Sequence, residues 1–138
     1  MTSNPEPSVQ QLQDDFQNLL VYITGPDTQR QTAYTVELTL FRRLLALGTA
    51  LLRLFFVLRV AVRPAQPVTA PDGTPLTYHG QCLTIYYAVF GKVRFWRHYF
   101  TASGQEGLCP LDAELSLPAR YYADLLREWA AYGATNAS

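Results

Sequence analysis

The sequence predicts an α+β fold: an N-terminal helical hairpin with one long Leu-rich helix, a Pro-rich linker, a β-hairpin and a C-terminal helix. Three observations carry this expectation. Apolar residues recur at helical spacing between positions 9 and 62, prolines cluster at positions 64, 67, 71 and 75, and two β-prone runs flank Gly91 in LTIYYAVFGKVRFWRHYF. At 138 residues, 49% hydrophobic and 16% charged, the chain has the size and composition of one folded domain.

Ser8 followed by Gln11 has the form of a capping box, and Val9, Leu12, Phe16, Leu19, Leu20 and Ile23 continue behind it at helical spacing until Gly25-Pro26. A second helix is expected from about Asp27 to Val62, roughly 50 Å long at 1.5 Å per residue. It carries a seam of Leu40, Leu44, Leu47, Leu51, Leu54 and Leu58 in alternating steps of four and three. A neighbouring stripe holds Leu38, Phe41, Leu45, Leu52 and Phe55, with Gly48 in line. So broad an apolar face fits either a core helix covered by its neighbours or a homo-oligomer interface. Arg53 and Arg59 interrupt the most lipid-like stretch, residues 44 to 62, and each would cost about 3 kcal/mol near a bilayer centre. A soluble helix is therefore expected, with no membrane partner.

The boundaries that follow are a tail at 1–7, a helical and possible oligomerising segment at 8–63, a linker at 64–76, a hairpin-plus-helix module at 77–133 and a tail at 134–138. Gly91-Lys92 suits the centre of a type II′ turn. The loop SGQEG precedes an extended segment, LCPLDAELSLP, and Pro118 suits the first turn of the third helix. Tyr122, Leu125, Leu126, Trp129 and Tyr132 form that helix's expected buried side.

Net charge is zero, yet its distribution is uneven. From Arg42 to Tyr99 there are eight Arg or Lys and one acid, Asp72, whereas the remainder holds three basic and ten acidic residues. Such halves can neutralise each other in the fold or mark an anionic partner. The densest stretch is FGKVRFWRHYF, residues 90–100, with five aromatics, four cationic or potentially cationic groups and no acid. Strand alternation places Lys92, Arg94, Trp96 and His98 on one face and Val93, Phe95, Arg97 and Tyr99 on the other.

Signatures of catalysis are missing: the sequence has no GxGxxG, phosphate-binding loop, HExxH or GxSxG. Asp112 and Glu114 read as surface carboxylates. His79, Cys82, His98 and Cys109 are acceptable zinc ligands by type, but only His79-x-x-Cys82 is compact, and buried thiols with ordinary histidines account for them equally. No metal or cofactor is expected. The opening MTSNPEPSVQ has neither a basic start nor an apolar run, and two cysteines suit reduced thiols, so a cytoplasmic location is expected.

The string YAVFGKVRFWRHYF followed by GQEGLCPLDAELSLPARYYADLLREW resembles the N-terminal region of bacterial insertion-sequence transposases of the Kra group. The matching positions are Phe90, Gly91, Val93, Arg97, Tyr99, Pro110, Leu111, Asp112, Leu115, Leu117, Pro118, Arg120 and Tyr122. Ala123 stands where a serine usually follows the tyrosine, and Cys109 alone stands where some relatives have several loop cysteines. In that family an RNase H-like domain follows, whose three carboxylates hold two divalent ions; this chain stops before it. The resemblance thus implies a truncated or orphan DNA-binding and assembly module without strand-transfer activity. Its expected DNA contacts are Lys92, Arg94 and Arg120 to phosphates, with Trp96 and His98 in a groove or stacked on bases. Arg97 is equally suited to pair with Asp112 inside the fold. The expected partners are element-end DNA and a second copy of the chain; the alternative function is a homo-oligomeric interaction module built on the Leu-rich helix at 37–62.

Overall fold

The computed structural model describes residues 8–62, 68–104, 107–117 and 122–136. The fold is α+β, with helices around a small antiparallel sheet. Ser8 caps the first helix, α1 (Val9–Thr24), its Oγ accepting from the Gln11 N–H at 3.0 Å. Thr28–Arg30 then form a single 3₁₀ turn, where the Thr28 hydroxyl donates to the Tyr22 carbonyl. The second helix, α2 (Ala33–Val62), therefore starts later than the expected Asp27. Thr32 sets the new start, because its Oγ1 accepts from the Thr35 N–H at 3.2 Å.

Along α2 the broad apolar surface divides into three. Leu12 and Leu19 of α1 are buried, and Leu47 and Leu54 of α2 share a cleft wall with Leu12. A second side meets the sheet through Leu52, Phe56 and Val60. The remaining side leaves Phe41, Leu44, Leu51, Phe55 and Leu58 exposed.

Strands β1 (Val68–Thr69), β2 (Pro75–Ala88) and β3 (Gly91–Thr101) pair antiparallel in that order. The expected linker is thus partly sheet: Val68 pairs with Leu76, and both pack with Ala70 and Phe100 in a small second core. The part of the linker at 63–67 lies outside the described residues. Ala88 is opposite Gly91, so the hairpin turns on Val89-Phe90 rather than Gly91-Lys92. Gly91 still supplies a positive φ, +138°, as the first paired residue after the turn. The β2–β3 register shifts between Tyr78 and Gly80, where Gly80 also has positive φ.

The main core lies between α2 and the inner face of the hairpin. Phe56 stacks on Phe95 at 4.2 Å between ring centroids and meets Tyr86 edge-on, with Val60, Ala88, Val93 and Leu111 around them. Leu111 comes from a short helix, α3 (Pro110–Glu114), in the segment expected to be extended. Pro110 opens it and a left-handed Ser116 (φ +53°) closes it, so that Leu117 N–H reaches Asp112 O and Ser116 N–H reaches Ala113 O. This turn delivers Leu111, Leu115 and Leu117 to one core.

Residues 118–121 lie outside the described residues, and with them the expected Pro118 helix start. Tyr122 bridges to Tyr87 in parallel, and Ala123 N–H donates to Tyr87 O, before α4 (Asp124–Asn136) begins. The expected buried side of α4 is corrected: Leu125, Trp129 and Tyr132 are exposed. The reason is position, since α4 touches β2 near its first residues and then runs past the sheet.

Candidate nucleic-acid interface

The β-ladder register decides which side chains share a face. Opposite residues point the same way, so Lys92 stands with Tyr87, Arg94 with Ile85, Trp96 with Leu83 and His98 with Gln81 on the outer face. Lys92 and Arg94 are exposed, Trp96 is 50% exposed and Leu83 47%. His98 is half-buried, with Nδ1 3.3 Å from the Tyr78 hydroxyl and its ring edge-on to Tyr78. Lys92 Nζ lies 5.8 Å from the centroid of Tyr87, which itself stacks on Tyr122 at 4.8 Å. These four cross-strand pairs include no carboxylate, so nothing within them neutralises the two cations. The result is a strip of cations, rings and hydrogen-bonding groups that a polyanion with planar bases can use.

The inner face has the opposite character. Val93 and Phe95 are fully buried, and Arg97 is diverted into the protein, where Nη1 donates to Asp112 Oδ1 at 2.8 Å. Burial pushes the Asp112 carboxyl above its usual range, more than the Arg97 guanidinium pulls it down. Cys109 follows the same balance: burial raises its thiol, with Arg97 opposing. Most described positions of the family-like motif are thereby explained by packing. Phe90, Gly91 and Val93 dock the hairpin, Arg97 and Asp112 pair, and Leu111, Leu115 and Leu117 fill the core.

Of the expected DNA contacts, the structure brings Lys92, Arg94, Trp96 and His98 to one face; Arg120 lies outside the described residues. Of the zinc candidates, Cys82 is exposed and Cys109 buried, and His79 sits against the Tyr99 ring. Among the described residues, no three His, Cys, Asp or Glu side chains come together as a metal site. His79, Cys82, His98 and Cys109 therefore do not form a common one. Sequence reasoning missed Arg53, which it treated only as an interruption of an apolar helix. Arg53 borders a cleft of about 390 Å³ with Trp96, His98 and Gln81, and its Nε is buried without a hydrogen-bond acceptor among the described residues. No spacing rule in the sequence joins position 53 to position 96.

The leucine seam is split by α1. Leu40, Leu47 and Leu54 are half-buried, whereas Leu44, Leu51 and Leu58 stay 51%, 51% and 54% exposed. The same helix, over Ala33–Ala61, is long and apolar enough to cross a membrane, and 11% of its most apolar window is buried inside the protein. No protein-family model matches the chain, and no curated protein or solved structure matches it either.

Proposed function

We propose that this chain is a DNA-binding and assembly module, of the kind found ahead of the catalytic domain in Kra-group transposases, with no strand-transfer activity of its own. The observation that carries the reading is the outer face of the β2–β3 hairpin, where exposed Lys92 and Arg94 flank a half-exposed Trp96 with no acid in the cross-strand pairs. Lys92 and Arg94 contact phosphates, which supplies affinity with little sequence information. Trp96 and His98 reach into a groove or stack on bases. Arg120 belongs to the same proposal. The module is cytoplasmic, needs no cofactor and works as a homo-oligomer on element-end DNA.

The test is duplex binding as a function of salt. Lys92→Ala/Arg94→Ala should weaken binding and reduce the log–log salt slope by about 0.9 per phosphate contact removed. An unchanged slope would take both residues out of the interface. The exposed Leu44, Leu51 and Leu58 favour a second reading, a homo-oligomeric interaction module built on α2 without DNA. That reading predicts self-association with no salt-dependent DNA affinity.

A further inference from the structure

Where α2 passes β3, Arg53 and Val57 face Trp96, His98 and Gln81 across the 390 Å³ cleft, with Phe95 also lining it. The volume falls in the range of small-ligand sites, about 300–1,000 Å³, and suits one nucleotide unit rather than a duplex. Its chemistry is mixed in a definite way. Arginine offers only donors, histidine and glutamine offer both donors and acceptors, and no carboxylate among the described residues lines the cleft. The Arg53 guanidinium borders this space with its Nε buried and without an acceptor among the described residues, and its remaining nitrogens are the donors that an anionic oxygen in the cleft would meet. Beside it stands a half-exposed indole, a stacking surface for a planar ring.

We infer that this cleft binds a single nucleotide unit, its phosphate on Arg53, its base on Trp96, and its base or sugar edges on Gln81 and His98. The choice of a nucleotide rests on the DNA-binding reading above, but the site does not use Lys92 or Arg94. The unit can come from a single-stranded segment of DNA or from a free nucleotide, and both present the same phosphate and ring.

Calorimetric titration of the full chain with thymidine monophosphate and with a five-residue oligothymidylate separates these sources. Both ligands should bind, the oligonucleotide more tightly if the source is a strand and no more tightly if it is a free nucleotide. Arg53→Met, which keeps an unbranched apolar stem on α2, should weaken monophosphate binding about tenfold or more. Trp96→Leu, at an exposed position that leaves the core alone, should do the same by removing the stacking surface. Lys92→Ala/Arg94→Ala should leave the monophosphate affinity unchanged. A parent chain that binds the monophosphate but no duplex would leave the cleft standing and sink the DNA reading. Absence of monophosphate and oligonucleotide binding, or equal binding by the parent and both cleft variants, would overturn the cleft whatever happens to duplex DNA.

Discussion

Arg97 Nη1 lies 2.8 Å from Asp112 Oδ1, with the arginine side chain about nine-tenths hidden and the aspartate about a third exposed. Such a pair is held in place more by what its loss would leave behind than by its own attraction. Asp112→Ala removes one acceptor from a buried cation and should cost about 1–3 kcal/mol in urea unfolding. Asp112→Asn keeps a carbonyl acceptor and should stay within about 1 kcal/mol of the parent. The two variants also separate the titration. Because the native carboxyl has a raised pKa, the folded state holds its proton more tightly than the unfolded state. Stability from this group is present below the ordinary carboxylate value, 3.8, and is lost as pH rises through the raised native value. Unfolding followed across that window should show this fall in the parent and not in Asp112→Asn; the same fall in both would assign it to another group. The Arg97–Asp112 alternative was legible because alternation put Arg97 among Val93, Phe95 and Tyr99. Arg53 was not, because its neighbours in space, Gln81, Trp96 and His98, arrive from two strands far along the chain.

A Cβ built on Gly48 in α2 would lie 2.4 Å from the Phe90 ring at the hairpin tip, and Thr49 Oγ1 donates to Phe90 O at 3.2 Å. Together they clamp the turn to the helix. In an open helix Gly→Ala stabilises by about 0.5–1 kcal/mol; here the sign should reverse, with a loss of about 1–3 kcal/mol from overpacking. Phe90→Ala removes the obstacle, so adding Gly48→Ala in that background should be neutral or stabilising. Thermal unfolding of the four proteins closes the cycle, and a destabilising alanine in both backgrounds would deny the contact. The long helix, the hairpin and its two faces could be read from period alone. Helix α3 could not, since five residues give too little periodicity and its end depends on Ser116 in a left-handed conformation more typical of glycine. The hairpin turn was misplaced by two residues because Gly91 does follow a turn, as the first paired residue of β3 rather than the turn's first corner. The Pro-rich run looked like a break, although Val68 and Leu76 meet across it.

At the scale of the molecule, α2 is covered on two sides and open on the third. The exposed Phe41, Leu44, Leu51, Phe55 and Leu58 lie along one side at heptad-like spacing, as on a helix that pairs with another helix, and the stripe is interrupted at Gly48, which Phe90 covers. Each half-exposed leucine would gain about 1 kcal/mol on full burial, half the value for a completely exposed side chain. Two copies joined through this stripe would cover it on both chains at once, as a two-fold interface requires. A bilayer would cover it too, but would have to take up Arg53 and Arg59 and separate Phe56 and Val60 from the sheet. Self-association is the expected outcome: light scattering at tens of micromolar should give a mass above 15.6 kDa. Leu44→Glu/Leu58→Glu should return the mass to one chain while circular dichroism keeps the helical signal, because both side chains are already about half exposed. Vesicle flotation is the companion measurement, with the parent expected to stay at the bottom of the gradient. A monomeric parent, or one that floats with vesicles, would remove the self-pairing stripe from the account and leave the hairpin face to stand or fall on its own salt dependence.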